Sequence, residues 1–541
     1  MADNLTILLY DQPYAPVLRR VGEVAAREGI EAYAVGGVVR DVLLGRATKD
    51  IDFVTVGPGS GIRLAKAVGE HLGGRTVHLY ENFGTAAIRL PAGRGGGEPL
   101  VLEFVAARRE SYRRHSRKPL VEEGTLEDDQ RRRDFTINAM AVHIIPDRFG
   151  DLIDPFEGRA DLAQRRLRTP LDPHRTFEDD PLRMIRAARF AAQLGFAVDP
   201  PTVVAMRAQA SRVEILSRER IIDEVQKMIR APVPSVGFKL LEETGLLRRF
   251  FPELVALKGV EEVDRQRHKD NFYHTLQVLD NLAAMTSDRT GEATEWLRWA
   301  ALLHDIAKPL TKRFVEGTGW TFHGHEDRGT RMIPKLFRRL KLPMDERMAY
   351  VQKLVRLHHR PVALVDEDVT DSAVRRLLFE AGDDIDDLMM LVRADITSKN
   401  PRRVQRYLGA FDRVEARMAE VEEKDHLRNF QPPVDGGEIM EVLGIGEGVA
   451  VGIIKETIRE AILDGKIPNE HDAAYAHMMQ IKDEAVRRGA LFDEVMGLLR
   501  GPERRAVGAI KQEIFQGHIP QDHDAALQHL LDIKARVLAE A

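Results

Sequence analysis

The chain has 541 residues, with 80 Lys and Arg against 85 Asp and Glu, a formal net charge of −5 and no cysteine. The missing cysteines exclude disulfides, thiolate zinc sites, iron–sulfur clusters and a cysteine nucleophile. No apolar stretch approaches the ~20 residues that a membrane-spanning helix needs, and residues 1–20 lack a signal-peptide pattern. We therefore expect a cytoplasmic protein of several domains with no membrane association.

The first part of the chain mixes helical and strand patterns. Apolar spacing predicts a helix over residues 17–30. Alternating or β-branched runs predict strands over residues 32–35, 51–56, 76–80, 85–90 and 100–106. Strand patterns nearly vanish after residue 155, and the sequence from residue 182 onward has helical periodicity. The predicted fold class is α+β, with a mixed-sheet head followed by helical domains.

Two sequence blocks are repeated near the C-terminus. Residues 450–455 (AVGIIK) match residues 506–511 (AVGAIK), and residues 467–474 match residues 519–526 in the pattern Ile-Pro-x-x-His-Asp-Ala-Ala. The offsets are 511 − 455 = 56 and 519 − 467 = 52, a difference of about one helical turn. A duplicated helical module with one longer helix explains both offsets.

Two glycines and two aspartates form the first candidate site. Gly36 and Gly37 follow a predicted buried strand and precede a predicted helix, a turn whose amides can face a phosphate chain. Asp50 and Asp52 alternate with apolar residues along a strand, so both carboxylates point to one face. Carboxylates this close repel each other, and hard divalent cations such as Mg²⁺ relieve the repulsion. Other Asp-x-Asp pairs in the chain lie on predicted surface; the strand context and the glycines favour a metal site here.

Further charged residues accompany this site. Glu103 lies on a neighbouring predicted strand, where a third metal carboxylate and an outward-facing surface charge explain it equally well. The densest basic stretch covers residues 108–118 and includes a tyrosine that could stack on a base. The residues predicted to bind RNA there are Arg108, Arg109, Arg113 and Arg114, and Arg165, Arg166 and Arg168 add to the positive charge.

Five motifs occur in a fixed order: Gly36-Gly-x-Val-Arg-Asp41, Asp50-x-Asp52, Arg132-Arg-Asp-Phe-Thr-Ile-Asn-Ala139, Asp180-Pro-Leu-Arg183 and Ser217-Arg-Glu-Arg220. Together they resemble the class II tRNA nucleotidyltransferase and bacterial poly(A) polymerase family over about the first half of the chain. The resemblance implies a polymerase-β-like palm in which Asp50 and Asp52 hold Mg²⁺ for catalysis. Glu103 stays a candidate third catalytic acid from its strand position. The residues that it implies for nucleotide binding are Gly36, Gly37, Arg40, Arg133, Asp134, Asn138, Asp180, Arg183 and Arg220.

Asp180 and Arg183 have the chemistry to select a base. Their spacing of three allows them to share one helical face. A carboxylate accepts from an exocyclic amino group and a guanidinium donates to a ring nitrogen, which suits cytosine and adenine but leaves unpaired groups opposite uracil and guanine. The resemblance assigns this templating role to both residues. The family's Glu-Asp-x-x-Arg is Asp179-Asp180-x-x-Arg183 in this chain.

A second constellation lies downstream. Trp299-Ala-Ala-Leu-Leu-His-Asp305 ends an apolar helix in a His-Asp pair, and imidazoles with carboxylates suit a divalent metal at a hydrolytic site. The set resembles an HD-superfamily phosphohydrolase, implying Mg²⁺, Mn²⁺, Ni²⁺ or a similar ion and RNA 2′,3′-cyclic or 3′ phosphates as substrates. The predicted ligands are His274, His304, Asp305 and Asp395, with His325 and His358 for a second metal.

We expect four domains: a nucleotidyltransferase head over 1–150, a helical neck over 151–260, an HD domain over 261–400 and a tRNA-binding tail over 401–541. The resemblance implies template-independent addition of C, C and A to tRNA 3′ ends from CTP and ATP. Two alternatives within the family are a poly(A) polymerase and an enzyme that adds only CC or only A. An alternative of another class is an HD phosphohydrolase with a degenerate head, against which the intact acids argue.

Overall fold

We analysed a computed structural model that describes residues 4–48, 50–80, 84–91, 99–111, 120–264, 266–289, 291–365, 370–398, 400–425, 427–428 and 430–539. The chain divides into two compact units, Met1–Val351 and Gln352–Ala541. The division falls within the segment predicted as the HD domain, and the four predicted domain boundaries stay predictions.

The described strands, in chain order, are β1 (Ala32–Val35), β2 (Asp50–Thr55), β3 (Val77–Tyr80), β4 (Thr85–Leu90), β5 (Leu100–Ala106), β6 (Arg108–Ser111), β7 (Leu120–Glu123), β8 (Ala141–His143), β9 (Leu152–Ile153), β10 (Arg166–Leu167), β11 (Ala197–Val198), β12 (Glu262–Val263), β13 (Gln266–Arg267), β14 (Arg313–Val315) and β15 (Gly319–Thr321). Seven of them form a mixed sheet in the order β3-β4-β5-β2-β1-β8-β9. Its centre pairs β2 with β5 in parallel and β2 with β1 antiparallel.

The described helices of the first 260 residues are α1 (Thr6–Tyr10), α2 (Ala15–Arg27), α3 (Gly37–Leu43), α4 (Ser60–His71), α5 (Leu126–Arg131), α6 (Gly158–Ala163), α7 (Pro173–Asp179), α8 (Leu182–Leu194), α9 (Pro200–Ala208), α10 (Arg218–Ile229), α11 (Pro234–Glu243), α12 (Leu247–Phe250) and α13 (Pro252–Val255). The later ones are α14 (Asn271–Met285), α15 (Glu292–Leu303), α16 (Lys308–Thr311), α17 (His325–Leu340), α18 (Glu346–Leu357), α19 (Arg360–Ala363), α20 (Asp371–Ala381), α21 (Ile385–Ala394), α22 (Pro401–Asp425), α23 (Gly436–Leu443), α24 (Val449–Leu463), α25 (His471–Leu498), α26 (Val507–Gln516) and α27 (His523–Ala539). Short 3₁₀ turns cover Thr136–Asn138, Pro146–Arg148, Ala210–Ile215, Gly382–Asp384 and Gly501–Ala506.

The predicted α+β fold with a mixed-sheet head is confirmed. Each predicted strand is present, and its first and last residues differ from the prediction by at most one position. The prediction succeeds because the alternation of apolar residues follows the buried face of the sheet. The helix predicted over 17–30 is α2, which begins two residues earlier because Pro16 fits a first helical turn. It ends before Gly29, whose φ of 62° leaves the helical region.

The repeat in the second unit pairs α24 with α26 and α25 with α27. The first helix of the earlier copy has 15 residues and that of the later copy has 10, so the longer helix belongs to the first copy. The matching residues Ala474 and Ala526 are both fully buried. His471 and His523, at the same repeat position, are the first residues of α25 and α27.

None of the helices in the described part of the chain combines the length and the apolar character needed to cross a membrane.

Candidate active sites

Three carboxylates lie together at the centre of the sheet. In the parallel pairing of β2 with β5, Asp52 is the direct partner of Glu103, and Asp50 lies two residues earlier on β2. Ile51, between the two aspartates, is fully buried, while Asp50 is exposed and Asp52 half-buried. All three acids therefore project to one face of the sheet, as the alternation predicted.

Their electrostatics fit a cation. Burial raises the pKa of Asp52 above its ordinary value, and Asp50 raises it further against the opposing charge of Arg133. Burial also raises the pKa of Glu103, with Asp52 and Asp50 adding to the shift. Such shifts arise where carboxylates repel each other in a site of low dielectric, and a divalent cation with oxygen ligands relieves them. The donor set Asp50, Asp52 and Glu103 therefore fits a divalent metal.

The glycine turn closes over this site. Gly36 has φ 75° and ψ −125° and directly precedes α3. A Cβ atom at Gly36 would lie 2.8 Å from Nη1 of Arg133 and 3.6 Å from Oδ2 of Asp52. The turn therefore requires glycine both for its backbone angle and for the close approach of these two side chains.

A hydrogen-bonded chain connects the glycine turn to the RRDFTINA motif. Arg40 Nη1 donates to Asn138 Oδ1 at 2.7 Å, and Asn138 Nδ2 donates to Asp134 Oδ1 at 3.0 Å. Arg186 Nε donates to Asp134 Oδ2 at 2.7 Å. Burial raises the pKa of Asp134, but Arg186 and Asn138 outweigh it and hold the pKa below its ordinary value. Arg40, Asn138 and Asp134, predicted to bind nucleotide, are therefore held as one unit.

Arg133 is held by a buried acid. Its Nε donates to Asp129 Oδ2 at 3.0 Å, and Arg132 forms an ion pair with the other oxygen of the same carboxylate. Asp129 is fully buried. Burial raises the pKa of Asp129, but the guanidiniums of Arg133 and Arg132 together have the larger, opposite effect. The pKa therefore lies below its ordinary value, and Asp129 stays ionised. Two guanidiniums of the basic run 131–133 thus share one buried carboxylate inside the head.

The predicted base-selecting residues lie close together with different partners. Asp180 precedes α8, where its Oδ1 accepts from the Leu182 amide at 3.1 Å and its Oδ2 lies 3.5 Å from Arg220 Nη2. Arg183 is 8% exposed and donates to the carbonyl oxygens of Thr176 and Arg132. Asp180 is therefore paired with Arg220. Arg183 is instead bound to the backbone of α7 and to that of the first residue of the RRDFTINA motif.

Four residues that connect α8 to α10 or pack on it were not predicted from the sequence: Arg186, Arg189, Phe190 and Glu224. The guanidinium carbons of Arg40, Arg186 and Arg189 lie 5.2, 5.3 and 4.1 Å from the ring centroid of Phe190. Glu224 on α10 is 3% exposed, and its carboxylate forms ion pairs with Arg189 at 3.1 Å and with Arg186 at 3.7 Å. The spacing of three between Arg183, Arg186 and Arg189 was the available signal, because it places all three on neighbouring positions of one helix.

The predicted RNA-binding arginines are only partly described. Arg113 and Arg114 lie outside the described residues, and Arg109 has only its backbone described, in β6. Arg108 is half-buried in the same strand. Arg166 and Arg168 both pair with the fully buried Asp161, which also accepts from Thr136 at 2.6 Å. The charge of Arg166 and Arg168 is therefore matched within the fold, and RNA binding by the basic stretch stays a prediction.

A second group of titratable side chains surrounds Asp305 in the first unit, and we call it the Asp305 cluster. Oδ2 of the fully buried Asp305 lies 3.5 Å from His274 Nε2, 3.3 Å from His304 Nε2 and 2.6 Å from Lys308 Nζ. Its Oδ1 lies 3.3 Å from His325 Nε2. Burial raises the pKa of Asp305, but His304 and Lys308 outweigh it and the pKa lies well below its ordinary value.

The backbone orients the imidazoles of the Asp305 cluster. His304 Nδ1 lies 2.7 Å from the carbonyl oxygen of Ala301, and His325 Nδ1 lies 2.8 Å from that of Phe322. Donation from Nδ1–H to a carbonyl leaves the lone pair of Nε2 directed toward Asp305, the arrangement that metal-binding histidines use. The donors of the Asp305 cluster therefore fit a divalent metal.

The other predicted ligands belong to the second unit. His358 is 2% exposed, and its Nδ1 lies 2.7 Å from the carbonyl oxygen of Val355, so its ring is oriented as in His304. Asp395 directly follows α21. Their roles as metal ligands stay predictions.

An acid trio beside a glycine turn that opens a helix, on a mixed sheet, defines a nucleotidyltransferase head, and the Asp305 cluster defines an HD-type site. Family models agree: "Poly A polymerase head domain" matches residues 32–168, "Probable RNA and SrmB- binding site of polymerase A" residues 195–257 and "HD domain" residues 271–391. The chain belongs to the family of tRNA nucleotidyltransferases and poly(A) polymerases, as its motifs predicted. Both domain types use divalent metal ions.

Relatives within this family carry different names. The chain is 33% identical to the A-adding tRNA nucleotidyltransferase of Deinococcus radiodurans, over 82% of this chain and 94% of the relative. It is 30% identical to the CC-adding tRNA nucleotidyltransferase of Thermus thermophilus, over 82% and 92%. Among solved structures, the CCA-adding enzyme of Bacillus stearothermophilus in complex with CTP matches with a TM-score of 0.56 and 25% identity, over 87% of this chain and 98% of that one.

Proposed function

We propose that the protein adds C, C and A to tRNA 3′ ends from CTP and ATP without a nucleic-acid template. The observation that carries this proposal is the direct pairing of Asp52 with Glu103 beside a linked set of nucleotide-binding residues. A degenerate head would not retain three acids on one face together with the contacts that hold Arg40 and Asn138. Because its proposed substrate is tRNA, we also propose that the enzyme is cytoplasmic.

The acid trio and the glycine turn divide the work of nucleotidyl transfer. Mg²⁺ held by Asp50, Asp52 and Glu103 would supply Lewis-acid stabilisation of the triphosphate charge and activation of the terminal 3′-hydroxyl. The amides after Gly36 and the guanidinium of Arg40 would bind and orient the triphosphate. Because Asn138 and Asp134 fix Arg40, the triphosphate meets a pre-organised donor.

Base selection belongs to Asp180 and Arg183. A carboxylate and a guanidinium side by side accept the amino group and donate to the ring nitrogen of cytosine or adenine. Arg183 has five N–H donors, and the bonds to Thr176 and Arg132 occupy two of them. The backbone bonds therefore position the guanidinium and leave three of its five N–H donors for the base. Arg220, 3.5 Å from Asp180, would orient that carboxylate.

A second candidate is partial addition, of only A or only CC. It is favoured by the names of the Deinococcus and Thermus relatives, each matched over 82% of this chain. Three tRNA substrates separate the candidates: one ending at the discriminator base, one ending in C and one ending in CC. With Mg²⁺ and all four nucleoside triphosphates, sequenced 3′ ends should all read CCA. Extension of only the third substrate would assign A addition, arrest at CC would assign CC addition, and long oligo(A) tails would indicate a poly(A) polymerase.

We also propose that the Asp305 cluster is a metal-dependent phosphohydrolase site for RNA 2′,3′-cyclic or 3′ phosphates. The support is the directed Nε2 lone pairs of His304 and His325 around a buried carboxylate. Mg²⁺, Mn²⁺ or Ni²⁺ is the candidate ion. The double variant Asp50→Ala/Asp52→Ala should lose nucleotide addition and retain hydrolysis, and Asp305→Ala should do the reverse. Loss of both activities in either variant would contradict two separate sites.

A further inference from the structure

An aromatic cluster lies beside the Asp305 cluster in the first unit. His268, Phe314, Trp320 and Phe322, which we call the ring cluster, are all half-buried. The ring centroids of Phe314 and Trp320 are 5.4 Å apart, and those of His268 lie 5.1 Å from Trp320 and 6.0 Å from Phe322. The contacts are edge-to-face, with interplanar angles of 72–85°. The four side chains therefore form one continuous partly exposed aromatic surface.

A tight hairpin builds this surface. Phe314 on β14 is the direct cross-strand partner of Trp320 on β15. His268 is held by two backbone bonds: its Nε2 accepts from the Glu261 amide at 3.1 Å, and its Nδ1 lies 2.7 Å from the carbonyl oxygen of Lys269. These two contacts fix the orientation of the His268 ring, whose centroid lies 5.1 Å from that of Trp320.

Two lysines lie at the rings, and each also forms an ion pair, Lys312 with Glu261 and Lys308 with Asp305. Lys312 Nζ lies 5.5 Å from the Trp320 ring centroid, and Lys308 Nζ lies 5.6 Å from that of Phe322. Aromatic rings with flanking cations are the elements that proteins use to hold single-stranded nucleotides, because rings stack on bases and cations attract phosphates.

The ring cluster and the Asp305 cluster share two connections. Lys308 Nζ, over Phe322, is also 2.6 Å from Asp305 Oδ2. The carbonyl oxygen of Phe322 is the one that orients His325. The ring cluster and the Asp305 cluster are therefore direct neighbours, with Lys308 in contact with both.

We propose that the ring cluster binds the base of the 3′-terminal nucleotide of an RNA and thereby presents its terminal phosphate to the Asp305 cluster. This inference rests on the proposed phosphohydrolase function. It names a base-stacking platform for that site, separate from the base-selecting residues of the head.

Intrinsic fluorescence gives a direct test, because the chain has three tryptophans and none lies in the head. Trp296 and Trp299 are 3% and 0% exposed, whereas Trp320 is half-buried. The full-length protein is titrated with cytidine 2′,3′-cyclic monophosphate in EDTA, so that the ligand is not hydrolysed. We expect saturable quenching that is absent from Trp320→Phe. Inorganic phosphate alone should not quench; equal quenching by phosphate, or quenching that persists in Trp320→Phe, overturns the proposal.

A binding measurement separates stacking from hairpin packing. By calorimetry, Trp320→Ala should bind the cyclic nucleotide roughly 5- to 150-fold more weakly, since stacking of one base contributes ~1–3 kcal/mol. Val315→Ala, at an exposed residue of the same hairpin outside the ring cluster, should bind like the wild type. Nucleotide addition to tRNA should be retained in both variants, which confirms that they fold. Equal affinity of Trp320→Ala and wild type overturns the platform.

The two proposals fail differently. Quenching that depends on Trp320 without any hydrolysis after metal is restored would remove the phosphohydrolase and keep the binding platform. Hydrolysis with unchanged kinetics in Trp320→Ala would keep the phosphohydrolase and overturn the platform.

Discussion

Asp52 on β2 lies directly opposite Glu103 on β5 in a parallel strand pair. The parallel register places both carboxylates at the same height on one face of the sheet, next to Asp50. The chain keeps them there although burial and mutual repulsion raise the pKa of both acids. The ionised acids therefore lower the stability of the folded protein when no cation is bound, and a bound cation should offset this cost. Stability measurements can test this without an activity assay.

Asp52→Asn should stabilise the metal-free protein while abolishing nucleotide addition. The folded state holds the Asp52 proton more tightly than the unfolded state, so ionised Asp52 lowers stability above the unfolded pKa. Asparagine removes this cost, and we expect a higher Tm in EDTA and a smaller increase in Tm on adding Mg²⁺. Differential scanning calorimetry with and without Mg²⁺ measures both effects. Asp147→Asn, at an exposed residue of the same domain, is the control; a lower Tm for Asp52→Asn in EDTA contradicts the prediction.

Arg186→Met should destabilise the first unit by about 3–5 kcal/mol, because it leaves the buried carboxylates of Asp134 and Glu224 without their shared cation. Arg186→Lys keeps the charge and should cost less. Urea unfolding monitored by circular dichroism measures the difference. Equal losses of stability for the two variants would mean that the paired N–H groups of the Arg186 guanidinium, rather than its charge, are what stabilise the unit.

At permissive temperature Arg186→Met should also raise the KM for CTP, since Asp134 orients Asn138 and Arg40.

Arg298→Met should cost at least about 2 kcal/mol. Arg298 is 6% exposed and donates to the carbonyl oxygens of Ile229, Ala231 and Ala283 and to the hydroxyl of Thr286. The variant leaves these buried acceptors without a donor. Arg207→Met, which removes a surface ion pair with Glu243 at a 55%-exposed side chain, should cost less than about 1 kcal/mol. Urea unfolding of both variants is the measurement, and similar values would contradict the prediction.

The tail should lose stability as the pH rises through the pKa values of His471 and His523. A hydrogen bond to Glu438 is the main cause that raises the pKa of His471, and Asp524 and Glu494 raise that of His523. A histidine with a raised folded pKa stabilises below its ordinary value near 6.5, and that contribution disappears as the pH rises past the folded pKa. Proteolytic susceptibility of the second unit at pH 6 and pH 8 should therefore differ. The double variant His471→Gln/His523→Gln should show a smaller difference, and an unchanged one would exclude these histidines as the cause.

The two copies of the repeat should respond alike to overpacking. Ala474→Val and Ala526→Val insert two methyl groups at fully buried positions and should each cost about 1–3 kcal/mol. Ala525→Val, at the exposed neighbouring position, should cost less than about 0.5 kcal/mol. Thermal unfolding of the three variants gives the comparison. A neutral Ala526→Val would show that the second copy packs differently from the first.

The sheet and the acid pair were predictable from the sequence because alternation reports burial directly. Asp50 and Asp52 flank a fully buried isoleucine, and this pattern alone places them on one face. β8 and β9, with three and two residues, were missed because such short strands carry too few residues for a period. The register that sets Glu103 opposite Asp52 depends on parallel pairing between residues about fifty positions apart, which no local pattern encodes.

The partners of the arginines were less predictable. Arg183 was expected to act through its side chain on a base, and the structure adds two backbone carbonyl acceptors from separate elements. Glu224 was overlooked, because a glutamate in an amphipathic helix normally faces solvent, whereas here it is 3% exposed beside Arg189. Such pairs are decided by the packing of α8 against α10, which the sequence of either helix does not specify.

Position 36 is occupied by glycine, and the surrounding structure limits which other residues could replace it during evolution. Its φ of 75° excludes nearly every other residue, and any Cβ would press on Arg133, which Asp129 anchors. A substitution at Gly36 would therefore displace Arg133, which is predicted to bind nucleotide, and would crowd the carboxylate of Asp52. Saturation mutagenesis under selection for growth should recover only glycine at this position, although its own atoms take no part in the chemistry.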